Sequence, residues 1–406
     1  MCSSTEEQQQ TLPAGTPSPI PSDLPLYDAH CHPTDAPSSL SRIQVMRVAA
    51  LVIMSTRAQD QGLVADAAAA AGRGKTIIPA FGWHPWFSHQ LYDDDTTPGD
   101  NSDTFKAAHY KAVLVPEPTD EFVDSLPAPR RLSEYINEMR HRLRANPAAM
   151  VGEIGIDKAF RLPEAFASTP APPPALEASD LDITPGGREG RRLSPYRVRV
   201  QHQVAVMAAQ LRIAAELQRP VSIHSVQAHG VVFDALQAMW KGHEKEIVGR
   251  RKRRMAAAGA EEDYWPSDDS ESKDGDASPK PKTKPYPPRI CLHSFSGPAE
   301  VGRQYVHPAI PVSVFFSFST VVNVDGPGAS DDRLAEVLGA VPDNRILVES
   351  DWHQAGEEMD RVLAEMYMQV CRLKGWDIKE GGETIGRNFC DFVGGKSGEK
   401  GGTKDC

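Results

Sequence analysis

The sequence predicts a (β/α)8 TIM-type barrel, a single domain with long disordered or irregular surface insertions. Eight short apolar runs rich in β-branched residues recur along the chain, and stretches with helical spacing lie between them. Strand–helix alternation repeated eight times is typical of a parallel barrel. The length agrees, because removing both tails and the two clearest insertions leaves about 280 residues, close to the ~250 typical of this fold.

The predicted strands are apolar runs of five to eight residues. They are LYDAH at 26–30, VAALVIMS at 48–55, TIIPAFG at 76–82, AAMVGEIG at 148–155, PVSIH at 220–224, RICLH at 289–293, PVSVFFSF at 311–318 and RILVES at 345–350. The clearest helix follows the eighth run, where Met359, Val362, Met366 and Val370 recur at three- and four-residue spacing. A second helical pattern spans 197–218.

Segments rich in Pro, Gly and charge mark the regions outside the barrel. We expect a disordered tail over 1–25, a barrel over 26–393 and a flexible tail over 394–406. Insertions are predicted at about 93–128, 158–193 and 241–288, and the first of these reads as irregular. The run GRRKRR at 249–254 stands beside many carboxylates, which favours a solvated loop over a nucleic-acid contact and leaves a protein partner possible.

Composition narrows the class of protein. The net charge of −11 argues against a broad basic face for nucleic acid, although a local basic patch is compatible with it. Six scattered cysteines without a CxxC pair argue against a disulfide framework and fit a reducing compartment. No apolar run reaches the ~20 residues of a membrane span, and neither a secretory nor a transit leader is visible. We therefore expect a cytoplasmic or nuclear protein without membrane contact.

Polar residues of metal-binding type fall at the ends of the predicted strands. In a parallel barrel these carboxyl ends meet at one mouth, so residues far apart in sequence become neighbours. The residues are His30 and His32 after the first strand, His84 after the third, Glu153 in the fourth, His224 in the fifth, His293 in the sixth and Asp351 after the eighth.

Each of these residues has another explanation when taken alone. His224 and His293 could be hydrogen-bonded core histidines, Glu153 a salt-bridged carboxylate, and Asp351 the cap of the next helix. Together they favour a metal centre, because imidazoles and carboxylates suit one or two divalent ions with positions left open for water. Zinc or manganese suits the histidine-rich set, while magnesium would prefer more oxygen.

The ordered motifs resemble the TatD-like hydrolases, a branch of the metal-dependent amidohydrolase-type barrels. The matching segments are DAHCHP, GWHPW, VGEIGID, PVSIHSVQAHG, CLHSFSG, LVESDWH and TIGRNFCDFV. The resemblance implies a TIM-type barrel that hydrolyses phosphodiesters of DNA. It implies metal ligation by His30, His32, Glu153, His224, His293 and Asp351, proton acceptance from water by Asp351, and contact of His84 with substrate phosphate.

Three departures concern the shell around the expected metals. Pro33-Thr34 replaces the usual Leu-Asp, Val226 stands where the family commonly has a cation, and Trp352-His353 replaces a small residue and proline. The alternatives are therefore a related barrel hydrolase acting on amides, esters or amines, and a catalytically weak partner-binding protein. The metal's identity and number stay open.

Overall fold

Eight parallel strands form the centre of the molecule. The computed structural model describes residues 20–71, 75–95, 99, 102–165, 191–247 and 284–394. The barrel strands are β1 (Leu26–Cys31), β2 (Val48–Met54), β3 (Thr76–Phe81), β4 (Met150–Asp157), β5 (Val221–Val226), β6 (Arg289–Leu292), β7 (Ser313–Phe318) and β8 (Ile346–Val348). Each coincides with one of the eight predicted runs, so the barrel prediction is confirmed.

The strands pair in chain order, and every neighbouring pair is parallel. Past the end of β8, the amide of Asp351 donates to the carbonyl of His30 at 3.0 Å, and that of His32 donates to the carbonyl of Trp352 at 2.8 Å. These bonds join the last strand to the first. The carboxyl ends of all eight strands consequently surround one mouth.

Helices surround the barrel in the described ranges. They are α1 (Gln61–Ala69), α2 (Asp103–Val113), α3 (Asp120–Ser125), α4 (Leu132–Ala145), α5 (Val200–Glu216), α6 (His229–Trp240), α7 (Ala299–Tyr305), α8 (Thr320–Asn323), α9 (Asp331–Ala340), α10 (Glu357–Lys374) and α11 (Ile378–Gly394). The helices predicted after the eighth and before the fifth strand are α10 and α5. No helix in these ranges combines the length and apolar character needed to cross a bilayer.

Helix α11 closes the end of the barrel opposite the mouth. Phe389 and Phe392 pack against the apolar side chains of the barrel interior, with the rings of Phe392 and Phe315 5.4 Å apart. The side chain of Asn388 donates to the carbonyl of Ile346 at 2.8 Å, just where β8 begins. The barrel interior is therefore filled with apolar side chains at its base.

The stretch at 93–128, expected to be irregular, contains two helices. The hydroxyls of Ser102 and Thr119 cap α2 and α3 by accepting from the amides three residues ahead, at 3.1 and 3.3 Å. Tyr110 and Phe122 bury against residues such as Tyr196 in a small second core. Prolines and acidic residues masked this pattern in the sequence.

The remaining predicted tails and insertions lie mostly outside the described residues, at 1–19, 166–190, 248–283 and 395–406. Residues 20–25, assigned to the N-terminal tail, lie against the barrel because Ile20 and Leu24 are buried apolar side chains. The basic run at 249–254 belongs to the undescribed part.

Gly155 allows β4 and β5 to approach closely. Its φ is +153°, and a Cβ there would lie 2.0 Å from the carbonyl oxygen of His224. Gly155→Ala should therefore lower the free energy of unfolding by more than about 1 kcal/mol in urea denaturation. Gly230→Ala, in α6 with open space around it, is the control, and should be neutral or stabilising by up to about 1 kcal/mol. Equal stability of both variants would contradict this account.

Two buried histidines, His89 and His109, pack with the half-buried His202 beside β3 and α5. The Nε2 of His109 donates to the carbonyl of His89 at 2.7 Å, and that of His202 donates to the carbonyl of Ser88 at 2.9 Å. Burial lowers the pKa of His89 to about 3 and that of His109 to about 4. Both imidazoles are therefore neutral in the folded protein near neutral pH.

Acid should destabilise the fold through these histidines. In the unfolded chain a histidine has a pKa near 6.5, so below that pH the unfolded state binds more protons and the free energy of unfolding falls. As the pH falls from about 6.5 to 5, protonation of His89 in the unfolded chain alone should lower the free energy of unfolding by up to about 2 kcal/mol. Urea denaturation of His89→Asn should show a correspondingly shallower loss of stability. An unchanged pH dependence would refute the assignment.

Candidate metal centre

The residues predicted from the strand ends converge at the mouth. His30 is in β1 and His32 follows it, Glu153 and His224 lie in β4 and β5, His293 directly follows β6, and Asp351 and His84 follow β8 and β3. All except His32 and Asp351 are buried, and these two are partly exposed at the rim. The barrel thus brings all seven side chains together.

The carboxylate of Glu153 lies at the centre of five imidazoles and is itself only 2% exposed. Its Oε1 faces one group of histidines and its Oε2 faces another. The distances from Oε1 are 2.8 Å to His224 Nδ1, 2.8 Å to His293 Nε2 and 3.1 Å to His84 Nε2, and those from Oε2 are 3.4 Å to His30 Nε2 and 3.2 Å to His32 Nε2. A single carboxylate therefore joins two sets of nitrogen donors.

Asp351 stands at the rim beside the second set. Its Oδ1 is 3.6 Å from His32 Nε2, and its Oδ2 lies 3.3 Å from the hydroxyl oxygen of Ser294. Its backbone has a φ of +50°, which is uncommon outside glycine. The chain turns sharply there and directs this carboxylate toward the mouth.

Glu349 is a site residue that sequence reasoning missed. Its Oε1 accepts from both the amide and the hydroxyl of Ser294 at 2.6 Å and lies 3.5 Å from His293 Nδ1. Its Oε2 is buried and has no hydrogen-bond partner. The signal was present, because Glu349 lies in the same motif as Asp351, LVESDWH.

Asp157 is a second residue that was missed. Its Oδ2 lies 3.1 Å from His224 Nε2 and accepts a 2.6 Å bond from the indole of Trp86. This carboxylate orients the ring of His224 so that Nδ1 faces Glu153. The spacing of four from Glu153 in a strand, which places both on one face, was the available signal.

Asp28 and Ser222 hold the first histidine. Asp28 Oδ1 accepts from the amides of His30 at 3.1 Å and Ser350 at 3.0 Å, and the hydroxyl of Ser222 lies 2.9 Å from His30 Nδ1. The Nε2 of His30 is consequently the atom directed into the mouth. Neither residue had been singled out in the sequence.

The centre combines a charged carboxylate with both neutral and protonated imidazoles. Burial alone would raise the pKa of Glu153, but His84, His293 and His30 hold that pKa well below the usual range. Burial lowers the pKa of His30 to about 3 and that of His84 to about 4, so both are neutral. Burial acts in the same direction on His32, His224 and His293, but neighbouring carboxylates outweigh it and raise the pKa of all three, that of His32 to about 9. Burial also raises the pKa of Asp351, to about 6.

The donor set fits a divalent cation. The described residues contain three groups whose ligand atoms lie within 4.8 Å of one another: His30 with His293 and Glu349, His30 with His32 and Asp351, and His84 with Glu153 and His224. Two pairs of ring nitrogens approach closely, His30 with His32 at 3.0 Å and His224 with His293 at 3.1 Å. Imidazole nitrogens gathered in this way around buried carboxylates are the ligands that transition ions prefer.

His84 lies within the donor set. The resemblance implied a contact with substrate phosphate for it, yet its Nε2 is 3.1 Å from Glu153 Oε1 and it belongs to one of the three groups. Its Nδ1 accepts from the amide of Trp86 at 3.2 Å, which fixes the ring. Because Nδ1 accepts this bond, the proton of the neutral ring lies on Nε2, which suits a hydrogen bond to a phosphate oxygen better than ligation of a metal.

Two relatives match nearly the whole chain. The Cut9-interacting protein scn1 of Schizosaccharomyces pombe is 35% identical over 368 residues, covering 91% of this chain and 98% of the relative. The uncharacterized deoxyribonuclease YMR262W of Saccharomyces cerevisiae is 26% identical over 382 residues, covering 91% and 99%.

Among solved structures, the TatD homologue YJJV of Escherichia coli superposes with a TM-score of 0.47 at 15% identity, covering 91% of this chain and 96% of the other. An uncharacterized amidohydrolase of S. cerevisiae has a TM-score of 0.49 at 13% identity, covering 91% and 99%. The sequence profile of the family described as TatD related DNase matches residues 27–394. The chain therefore belongs to the TatD-related DNase family of hydrolases.

Proposed function

We propose that the protein hydrolyses phosphodiester bonds of DNA at the mouth of the barrel, with one or two divalent ions held there. The observation that carries this proposal is the buried carboxylate of Glu153 between two sets of imidazole nitrogens. Family membership supplies the reaction class. The acidic chain favours binding of a local phosphate group over a broad contact with duplex DNA.

The proposed ligands divide between the two sides of Glu153. We assign His30, His32 and Asp351 to one side and His224 and His293 to the other, with Glu153 as the residue that reaches both. A divalent ion bound there would polarise the phosphoryl oxygen and lower the pKa of a water molecule toward neutrality. Zinc, manganese or magnesium could fill this role, and the five imidazoles favour zinc or manganese.

Asp351 is proposed to accept the proton of the attacking water and return it to the leaving oxygen. Its Oδ2 lies 3.3 Å from the hydroxyl oxygen of Ser294, and its Oδ1 faces His32 and the mouth. Glu349 fixes Ser294 from the other side with two 2.6 Å bonds. His84, whose Nδ1 accepts from Trp86 and whose Nε2 therefore carries the proton, is proposed to contact the phosphate.

Metal content and activity measured together test the proposal. Purified protein should contain a divalent metal by elemental analysis and cleave both a chromogenic phosphodiester and single-stranded DNA. Glu153→Ala should lose both the metal and the turnover, because it removes the carboxylate whose two oxygens face the two histidine sets. Metal with turnover only on amide, ester or amine substrates would favour the related hydrolase. Absence of metal and turnover in wild type would contradict the proposal.

Asp351→Asn should separate chemistry from metal retention. The amide keeps an oxygen toward His32 but cannot accept a proton, so kcat should fall roughly 100-fold or more while much of the metal stays bound. The exposed Asp332→Asn, in the first turn of α9, is the matched control. Full activity of Asp351→Asn with confirmed metal would rule out the proton-accepting role.

Asp157→Asn should lower the metal affinity of the centre, although Asp157 is not among the proposed ligands. An amide at this position loses the charge that faces His224, and partners of this kind typically contribute about 10- to 100-fold in metal affinity. Competition with a chelator should therefore strip the metal from Asp157→Asn at lower chelator concentration than from wild type. Equal resistance would show that Asp157 serves only Trp86.

A protein partner is a second proposed property, favoured by the printed name of the fission yeast relative, a Cut9-interacting protein. The charged insertion at 241–288 is the proposed docking segment. A Cut9 homologue should be titrated with the full chain and with a variant in which a short Gly/Ser linker replaces 248–283. The full chain should bind it, and the variant should not. No binding to either would refute it. Residence in the cytoplasm or nucleus stays a prediction from the scattered cysteines.

A further inference from the structure

Arg57 is the only lysine or arginine that is buried within the described ranges, with 6% of its surface exposed. It follows β2 and so stands at the same mouth as the candidate centre. Removing a guanidinium from water is costly unless partners replace the lost hydration. The burial of this charge therefore indicates that Arg57 has a role other than that of a solvated surface residue.

The neighbours of Arg57 belong to the two segments that carry His32 and His84. Its Nη2 lies 3.4 Å from Asp35 Oδ1, and its guanidinium carbon is 4.9 Å from the centre of the Phe87 ring. Asp35 is three residues beyond His32, and Phe87 is three residues beyond His84. The cation is thus placed between loops that begin at the centre itself.

The backbone of this loop is held firmly. Asp60 accepts from the amide of Thr56 at 2.7 Å and from that of Arg57 at 3.2 Å, and the carbonyl of Thr56 accepts from the amide of His84 at 2.8 Å. Asp60 is therefore occupied by backbone groups. These bonds fix the position from which the Arg57 side chain extends.

The guanidinium is incompletely satisfied. Its contact with Asp35 is a single bond at the long end of the range, and its buried Nε has no hydrogen-bond partner. A guanidinium offers five donors and binds phosphate through two of them at once. The side chain thus keeps donors for an anion.

Two neighbouring positions at the mouth offer no buried cation. Val226, at the end of β5, is uncharged, and the ammonium of Lys158, after β4, belongs to an exposed side chain. Water would screen an exposed lysine and weaken its attraction for a phosphate. Among the lysines and arginines that the structure describes, Arg57 alone combines burial with a fixed backbone at the mouth.

We propose that Arg57 binds the phosphate of the substrate beside the candidate centre and thereby selects phosphate esters. This inference rests on the proposed function and deepens it by naming the residue that recognises the anion. The competing explanation is that Arg57 only neutralises the buried carboxylate of Asp35.

The test compares Arg57→Gln and Arg57→Lys with Arg303→Gln, whose parent side chain is exposed and pairs only with Glu300 on the surface. With metal-loaded protein and a chromogenic phosphodiester, KM should rise roughly 10- to 100-fold in Arg57→Gln, less in Arg57→Lys, and not in the control. A KM in Arg57→Gln within about twofold of wild type would overturn the proposal. Unchanged thermal unfolding confirms that each variant is folded.

The double variant Asp35→Asn/Arg57→Gln separates the two explanations. If Arg57 only neutralises Asp35, removing both charges restores the wild-type KM, and the proposal fails. If Arg57 binds phosphate, KM stays raised.

If the wild-type protein cleaves no phosphodiester, the proposed function fails but the inference about Arg57 can still be tested. Binding of inorganic phosphate is then measured instead of KM. Calorimetric titration of the metal-loaded wild type and of Arg57→Gln then decides. Phosphate binding that weakens about 10-fold or more in the variant supports the inference, whereas equal binding, or none in wild type, overturns it.

Discussion

The structure of the mouth depends on one buried carboxylate. Glu153 is almost fully removed from water, and a carboxylate in such a position is unstable without opposite charge or strong hydrogen bonds. Five imidazoles from β1, β3, β5 and β6 supply those contacts at 2.8–3.4 Å. His30 and His84 are neutral, whereas neighbouring carboxylates raise the pKa of His32, His224 and His293, whose protons therefore balance the buried charge when no ion is bound. A divalent cation shared by these nitrogens and carboxylates would take the place of those protons, and the parallel barrel is the framework that brings the donors together.

The scaffold around this centre is correspondingly rigid. Gly155 permits the close approach of β4 and β5 that brings Glu153 and His224 into contact, and Asp157 fixes the orientation of the His224 ring. At the rim, Glu349 and Ser294 hold the carboxylate of Asp351. Helix α11 fills the opposite end of the barrel with Phe389 and Phe392. A centre held by such neighbours needs little rearrangement when it binds a charged ligand.

The sequence predicted the barrel and seven residues of the mouth, because buried parallel strands leave continuous apolar runs and their polar ends stand out. Glu349 and Asp157 were not predicted, since each shares a motif with a more conspicuous residue. Without knowledge of its partner, each resembles an ordinary carboxylate at a strand end. Arg57 escaped for a different reason. Its burial depends on Asp35 and Phe87, which come from two other segments, and no local pattern reports such a contact. The helices within 93–128 were hidden by the proline and acidic residues that surround them.

Anomalous X-ray diffraction from crystals grown with manganese or zinc tests the central claim most directly. The account predicts an anomalous peak at the mouth within about 2.0–2.2 Å of a Glu153 oxygen and of imidazole nitrogens of His30 and His32 or of His224 and His293. A mouth with these side chains in place and no anomalous peak under saturating metal would contradict it.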